Sequence, residues 1–367
     1  MSLKAVPAPA TLADLARFDT IIDVRSPAEY AEDHLPGAVN WPVLDDEQRH
    51  TIGTLYVQDS PLAARKLGAM LVSRNIANHL ERWVQDKPRE WQPLVYCWRG
   101  GQRSGSLSLV LDQISFRTFK LDGGYKAFRA RVRDDLQQLP QRFDFRVLTG
   151  RTGSGKTRLL HALAAEGAQV LDLEGLAAHR GSVLGGLPDR PQPSQKRFDT
   201  LLWEALQALD PARPVFVESE SRKIGTLLVP EALITHMHGH GRCISVSLPD
   251  AERVRLLLDD YAALTIDVDL LCARLQQLVE LRGKEAVARW EGYARAGDWQ
   301  ALLPELLAQH YDPLYLRSTD RHYADMKNAV ELALDGADEA SLRTAAAGLL
   351  DRSTPHPNQR DDAAASN

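Results

Sequence analysis

Short apolar runs separated by stretches of helical periodicity dominate the first two thirds of the chain. TIIDVR around residue 22, PLVYC ending at Cys97 and RTFKL near residue 119 have the continuous apolar character of strands buried on both faces of a parallel sheet. A second series follows at residues 145–148, 170–173, 215–217 and 244–248, again with helical stretches between the runs. The pattern predicts an α/β protein with two parallel sheets. An arginine-bearing helix over 125–139, closed by Pro140, is the expected junction, so the domains are read as 1–139 and 140–350. Residues 179–193, HRGSVLGGLPDRPQP, are too rich in Gly and Pro for a regular element and read as a mobile loop that could serve as a lid. Beyond Pro249 the pattern turns mostly helical, with Ser247 and Asp250 read as a capping box opening DAERVRLLLDDY. Residues 351–367 are polar and Pro-bearing and are expected to form a disordered tail.

Length agrees with this division, since 367 residues exceed one ordinary compact domain. The formal net charge of −5 gives no global attraction to nucleic acid or to an anionic membrane. Any RNA contact must therefore come from local cations, of which Arg129, Arg131 and Arg133, Arg180 and Arg190, and Lys196 and Arg197 are the candidates. No apolar run reaches the ~20 residues of a membrane span, and MSLKAVPAPATLADL lacks the apolar core of a signal peptide, so the cytoplasm is the expected location. Cys97, Cys243 and Cys272 are too far apart to suggest a disulfide framework or paired zinc ligands, but one of them can still be a reactive thiol.

Cys97 is the candidate. It closes an apolar strand and is followed by WRGGQRSGSLSLVL, a glycine-containing turn running into a helix. Such a turn points backbone N–H groups inward, and together with the helix dipole and Arg103 these lower a thiol pKa and cradle an anion. The competing reading is a buried, inert cysteine at a strand end. Two flanking stretches add to the first reading. IDVRSPAEYAEDHLPGAVNWP (22–42) resembles the N-terminal signature of the rhodanese family, and LDGGYKAF (121–128) resembles its C-terminal one. The resemblance covers roughly residues 1–135 and implies a cysteine that carries a transferred atom as a persulfide. One departure matters: five residues (98–102) separate Cys97 from Arg103, where single-domain rhodaneses usually have four. A wider loop suits a tetrahedral oxyanion, and Cys-x5-Arg is also the spacing of cysteine-dependent phosphatases. Tyr96 stands where many of those carry His. Asp23, Arg25 and Glu29 are read as an internal salt-bridge network.

GRTGSGKT (150–157) completes the pattern G-x-x-x-x-G-K-[ST], with an apolar strand before it and RLLHALAAEG after it. Gly150, Gly153, Ser154, Gly155, Lys156 and Thr157 are the expected phosphate cradle, and the Thr157 hydroxyl can hold a magnesium ion. The acidic partner of such an ion is left open between Asp172 and Glu218. Glu218, Glu220 and Arg222 follow a strand end, where open α/β sheets bind ligands, and are read as substrate-site residues. His236, His238 and His240 alternate but lack matching carboxylate or Cys ligands, so an ordinary polar segment is expected rather than a metal site.

CWRGGQRS, GRTGSGKT, DLEGLAAHRGSVLGG and ESESRKIG, in this order, are together similar to the tRNA 2-selenouridine synthase family over nearly the whole chain. That resemblance implies replacement of the sulfur of wobble 2-thiouridine in the tRNA anticodon by selenium from selenophosphate, through an S-geranyl intermediate made with geranyl diphosphate. On this reading the P-loop holds a diphosphate leaving group. Cys97, helped by Arg103, accepts selenium as a selenenylsulfide, and Trp98 and Arg99 are candidates to stack the splayed base. No tightly bound cofactor is expected, magnesium apart, and an enzyme supplying selenophosphate is an expected partner. The alternatives are a Cys-x5-Arg phosphatase fused to a kinase, a thiosulfate sulfurtransferase with an NTPase, and a non-catalytic binding protein that uses the P-loop as a switch.

Overall fold

The computed structural model describes residues 7–182, 185–187, 190–260, 267–313, 315 and 322–353. They divide into two compact units: residues 1–135 with 193–204, and residues 136–192 with 205–367.

The first unit is a five-stranded parallel sheet in the order β1-β5-β4-β2-β3. Its strands are β1 (Ala8–Ala10), β2 (Thr20–Asp23), β3 (Ala38–Asn40), β4 (Pro93–Tyr96) and β5 (Phe119–Leu121). Strands β2 and β4 are the central pair, and Ile22, Val95 and Cys97 bury into one core with Trp41, Trp91, Leu107 and Leu111. Helix α1 (Pro27–Glu32) opens on Ser26, whose side chain and that of Glu29 form a capping box. Two longer helices, α2 (Asp46–Gln58) and α3 (Pro61–Trp83), follow β3. Helix α4 (Gln102–Gln113) follows the Cys97 turn, and α5 (Gly124–Gln138) follows β5.

Residues 193–204 belong to this unit because of a buried carboxylate. Asp33 is fully buried and accepts from Tyr125 Oη (2.9 Å) and Thr200 Oγ1 (3.0 Å), while Asp199 pairs with Arg129 at 2.9 Å. Trp203 donates to Asp135 at 2.9 Å and packs edge-on against Phe128. The cations expected on an RNA-facing surface are therefore mostly committed elsewhere. Arg131 pairs with Asp135 (2.7 Å), Lys196 with Glu32 (2.7 Å), and Arg197 reaches His34 O at 3.4 Å. Arg180, in the second unit, donates to Asp260 O, whereas Arg133 and Arg190 are exposed.

The second unit is a five-stranded parallel sheet in the order β12-β11-β6-β8-β7. It comprises β6 (Phe145–Thr149), β7 (Gln169–Leu171), β8 (Val215–Glu218), β11 (Arg242–Ser247) and β12 (Val330–Ala333), with β9 (Lys223–Ile224) and β10 (Leu227–Leu228) as a separate hairpin. Helix α6 (Lys156–Ala165) and the final helix Glu339–Ser353 pack their Leu and Ala faces on β6, β8 and β11. A second cluster around Trp290, Leu275 and Leu302 closes the helical part over residues 268–311.

The stretch beyond Pro249 is mostly helical as expected, with β12 inside it as an edge strand whose first two positions are exposed. His236, His238 and His240 lie on helix Glu231–His240, and His236 contacts Phe143 O at 3.1 Å. Two expectations are corrected. Ser247 ends β11 and the next helix starts at Asp250, whose carboxylate faces Arg151 and Arg253 instead of forming a capping box. Residues 351–353 continue the last helix; the rest of the stretch read as a tail is outside the described residues. The described part of 179–193 contains isolated antiparallel bridges only, His179 with Gly186 and Leu187 with Arg190. Among the described residues no helix is long and apolar enough to cross a membrane.

Asp23 and Arg25 form the expected internal pair, 2.6 Å apart and fully buried, with Arg25 also donating to Asp33 O (2.6 Å) and lying 3.8 Å from the Tyr125 ring centre. Removing one partner strands a buried charge, so Arg25→Met is expected to destabilise the first unit by about 3–5 kcal/mol. The measurement is the urea midpoint followed by tryptophan fluorescence. Combining it with Asp23→Leu should recover part of the loss, and an unchanged midpoint in the single variant would contradict this account.

Candidate active site

The Cys97 loop is built by three adjoining segments. Cys97 follows β4 and is 3% exposed; its Sγ accepts the Gly101 N–H (3.2 Å) and lies 3.2 Å from Ser104 Oγ. Behind it, the Tyr125 and Lys126 N–H groups donate to the carbonyls of Cys97 and Trp98, both at 2.9 Å. This contact explains the second glycine of LDGGY. Gly124 has φ +57°, and a Cβ there would stand 2.4 Å from Cys97 O and 2.7 Å from Gly100 N. Burial works against a thiolate, but hydrogen bonds from the Ser104 side chain and from the Ser104 and Arg99 backbone, with the Arg103 charge, outweigh it and hold the thiol below its ordinary value.

Arg103 is fixed by Glu29, with contacts of 2.6 and 3.3 Å. Burial opposes the charged Glu29 carboxylate, but the Arg103 hydrogen bond and charge keep its pKa below the usual range. Trp98 is 38% exposed with its ring 5.4 Å from Tyr125, and Arg99 is exposed, so both stand at the mouth of the loop. Tyr96 is buried and its hydroxyl accepts the Leu35 N–H at 3.2 Å.

In the second unit, residues 150–157 turn from β6 into α6 with positive φ at Gly150, Gly153 and Gly155. Lys156 Nζ folds back onto Gly150 O at 2.7 Å. The loop is held from outside: the buried Arg253 donates twice to Thr152 O (3.1 and 2.8 Å) and pairs with Asp312 at 2.6 Å, and the Gly150 N–H donates to the Tyr315 hydroxyl. Ser154 Oγ is buried without a hydrogen-bond partner.

Beside the loop, Glu174, Glu218 and Glu220 bring carboxylate oxygens within 4.8 Å of one another, and Glu174 is 3.4 Å from Thr157 Oγ1. Glu218 is 2% exposed, and its Oε1 has no hydrogen-bond partner. Burial and then mutual repulsion push Glu174 up to about 9 and Glu220 up to about 8, and burial raises Glu218 as well. Three crowded carboxylates with a hydroxyl are an all-oxygen donor set that fits a hard divalent cation such as magnesium. Gly181 (φ +65°) lies against them: a Cβ there would be 2.5 Å from Glu174 Oε1 and 3.2 Å from Glu220 Oε1, which accounts for glycine in HRGS.

Of the acidic candidates, Glu218 and Glu220 are therefore brought to the P-loop and Asp172 is not. Asp172 caps the helix Leu173–Ala177 through Gly175 N (2.7 Å) and contacts His161 at 3.0 Å. Arg222 points to the surface and pairs with Glu231 at 2.5 Å. Sequence reasoning missed Glu174, Ser104, Arg253 and Tyr315. Glu174 had a signal, since the capping Asp two residues earlier is spent on the helix end; Arg253 and Tyr315 had none, being distant in sequence from the loop they hold.

Protonated carboxylates make cation binding pH-dependent. Without a cation, Glu174 and Glu220 in the folded chain hold protons that the unfolded chain releases above about pH 4.5, so stability falls as pH rises from there toward about 9. A divalent cation displaces those protons. Magnesium should therefore raise the melting temperature more at pH ~8.5 than at pH ~6 and release protons on binding, both weakened in Glu218→Gln. A pH-independent magnesium effect without proton release would contradict the assignment.

A sequence profile of the rhodanese-like domain matches residues 8–131, and one of the tRNA 2-selenouridine synthase AAA domain matches residues 143–268. Among curated proteins, a tRNA 2-selenouridine synthase from Nitrosomonas europaea is 39% identical over 249 residues, covering 67% of this chain and 64% of that protein. The chain thus spans slightly less than two thirds of that relative. Proteins of the same name from Cupriavidus pinatubonensis (35% identical, 80% of this chain and 77% of that one) and Bdellovibrio bacteriovorus (31%, 88% and 95%) match over longer stretches. With both profiles matched in this order and relatives above 30% identity aligned over most of their length, the chain belongs to the tRNA 2-selenouridine synthase family.

Proposed function

We propose that the chain modifies tRNA in the cytoplasm, exchanging the sulfur of a wobble 2-thiouridine for selenium in two chemical half-steps. In the first, the thione sulfur attacks the allylic carbon of geranyl diphosphate and the diphosphate leaves. The N–H groups of residues 153–157 and the Lys156 ammonium take the charge growing on the leaving diphosphate. Glu174, Glu218, Glu220 and Thr157 would hold a magnesium ion, which would supply further charge neutralisation there. Alkylation turns a poor leaving group into a thiol, which prepares C2 of the base for substitution. In the second half-step the Cys97 loop handles selenophosphate, delivered by a partner enzyme, with Arg103 and the loop N–H groups on its oxygens. Trp98 and Arg99, exposed at the loop mouth, offer stacking planes for an unpaired base.

The observation that carries this reading is that one chain of this family holds both a thiolate-stabilising oxyanion loop and a P-loop flanked by a cation-ready carboxylate cluster. The test is mass analysis of tRNA nucleosides after incubation with selenophosphate, geranyl diphosphate and magnesium. Cys97→Ser is expected to stop at the geranylated nucleoside, and Lys156→Ala to fail to geranylate. Full selenation in both variants would sink the assignment.

A further inference from the structure

The Cys97 loop contains a group that a simple atom carrier does not need. Ser104, directly after Arg103, is fully buried, and its single hydroxyl proton has two acceptors in reach: Gly101 O at 3.2 Å and Cys97 Sγ at 3.2 Å. While Cys97 is a neutral thiol the proton can rest on the carbonyl. When the sulfur is anionic, a charge-assisted bond draws it to Sγ. A hydroxyl placed this way serves a step in which Cys97 departs as a thiolate, as well as one in which it attacks.

Electron balance then decides which atom of selenophosphate, the donor in the function proposed above, the thiolate meets. If Cys97 removed selenium as a selenenylsulfide, sulfur and selenium would together lose two electrons and phosphorus would gain them, leaving as phosphite. The reaction proposed above supplies no other acceptor for those electrons. Attack on phosphorus has no such demand.

We infer that Cys97 attacks the phosphorus of selenophosphate, forming a phosphocysteine and expelling hydroselenide, and that Ser104 then assists the breakdown of the phosphocysteine. The S–P bond forms as the P–Se bond breaks, and selenium keeps the bonding pair: RS⁻ + HSe–PO₃²⁻ gives RS–PO₃²⁻ + HSe⁻. Hydroselenide is a weak base and leaves without a general acid. It adds to C2 of the S-geranyl base and expels geranylthiolate, which takes up a proton as geranylthiol. Water cleaves the phosphocysteine, RS–PO₃²⁻ + H₂O giving RS⁻ + H₂PO₄⁻, and the Ser104 proton stabilises the departing thiolate. The five residues between Cys97 and Arg103 give the loop width for a tetrahedral phosphoryl group. The Gly101 N–H, which donates to Cys97 Sγ, and the Arg103 guanidinium, held by Glu29, are the groups that would meet its oxygens.

The full-length protein with selenophosphate tests this. Phosphorus NMR of the turnover products is expected to show phosphate, and phosphite in its place would overturn the proposal, as would failure to consume selenophosphate with or without tRNA. Rapid quench and peptide mass analysis should find a phosphoryl group on Cys97, and its decay should be about tenfold slower in Ser104→Ala, the loss of one charge-assisted hydrogen bond. Selenium on Cys97, or selenated tRNA formed while Cys97 carries neither group, would overturn the inference and leave the proposed function standing. A phosphocysteine formed while the tRNA nucleosides stay unchanged would support the inference and refute the proposed function.

Discussion

Both sites sit where a parallel strand turns into a helix, whose first N–H groups find no partner within the helix itself. In the first unit those donors surround Cys97 Sγ and lower its pKa against the opposing effect of burial. In the second they line the turn from β6 into Lys156–Ala165. A helix start cannot satisfy its own first donors, so an anion is the natural occupant at either place. The rest of each unit can be understood as holding that turn still: the Tyr125 and Lys126 N–H groups tie down the Cys97 and Trp98 carbonyls, and Arg253 with Asp312 ties down Thr152 O.

Charge is handled in opposite ways around the two turns. In the first unit the ions nearest the Cys97 turn are paired: Asp23 with Arg25, Glu29 with Arg103, Asp33 with Tyr125, Thr200 and Arg129. These arrangements are scaffolding, and they keep Arg103 aimed and the loop rigid. In the second unit Glu174, Glu218 and Glu220 crowd together; burial and mutual repulsion push Glu174 up to about 9 and Glu220 up to about 8, and burial raises Glu218 as well. Buried carboxylates that repel one another cost stability, which is why such a cluster reads as a ligand set rather than as structure.

The core strands and both turns were legible in the sequence, because buried parallel strands need uninterrupted apolar runs and these turns need glycine at fixed offsets. That is why β2, β4, β6, β8 and β11, the Cys97 loop and residues 150–157 could be read directly. The family signatures were legible for the same reason, since Gly124 and Gly181 occupy positions where a Cβ would collide with a carbonyl or a carboxylate.

What the sequence did not show is where long-range polar partners come together. Asp172 and Glu218 look equally suited to a cation, and only the structure shows Asp172 spent on a helix cap while Glu218 stands together with Glu174 and Glu220. Arg129 and Lys196 look like RNA contacts until Asp199 and Glu32 are found beside them. The sequence alone therefore determined the two α/β units, the cysteine turn and the glycine-rich turn of residues 150–157, because these depend on local periodicity and backbone geometry. The tertiary structure decided which carboxylates face the P-loop, which arginines are already paired and that Ser104 reaches Cys97, because hydrogen bonds and ion pairs act over a few ångströms in space and leave no period in the chain.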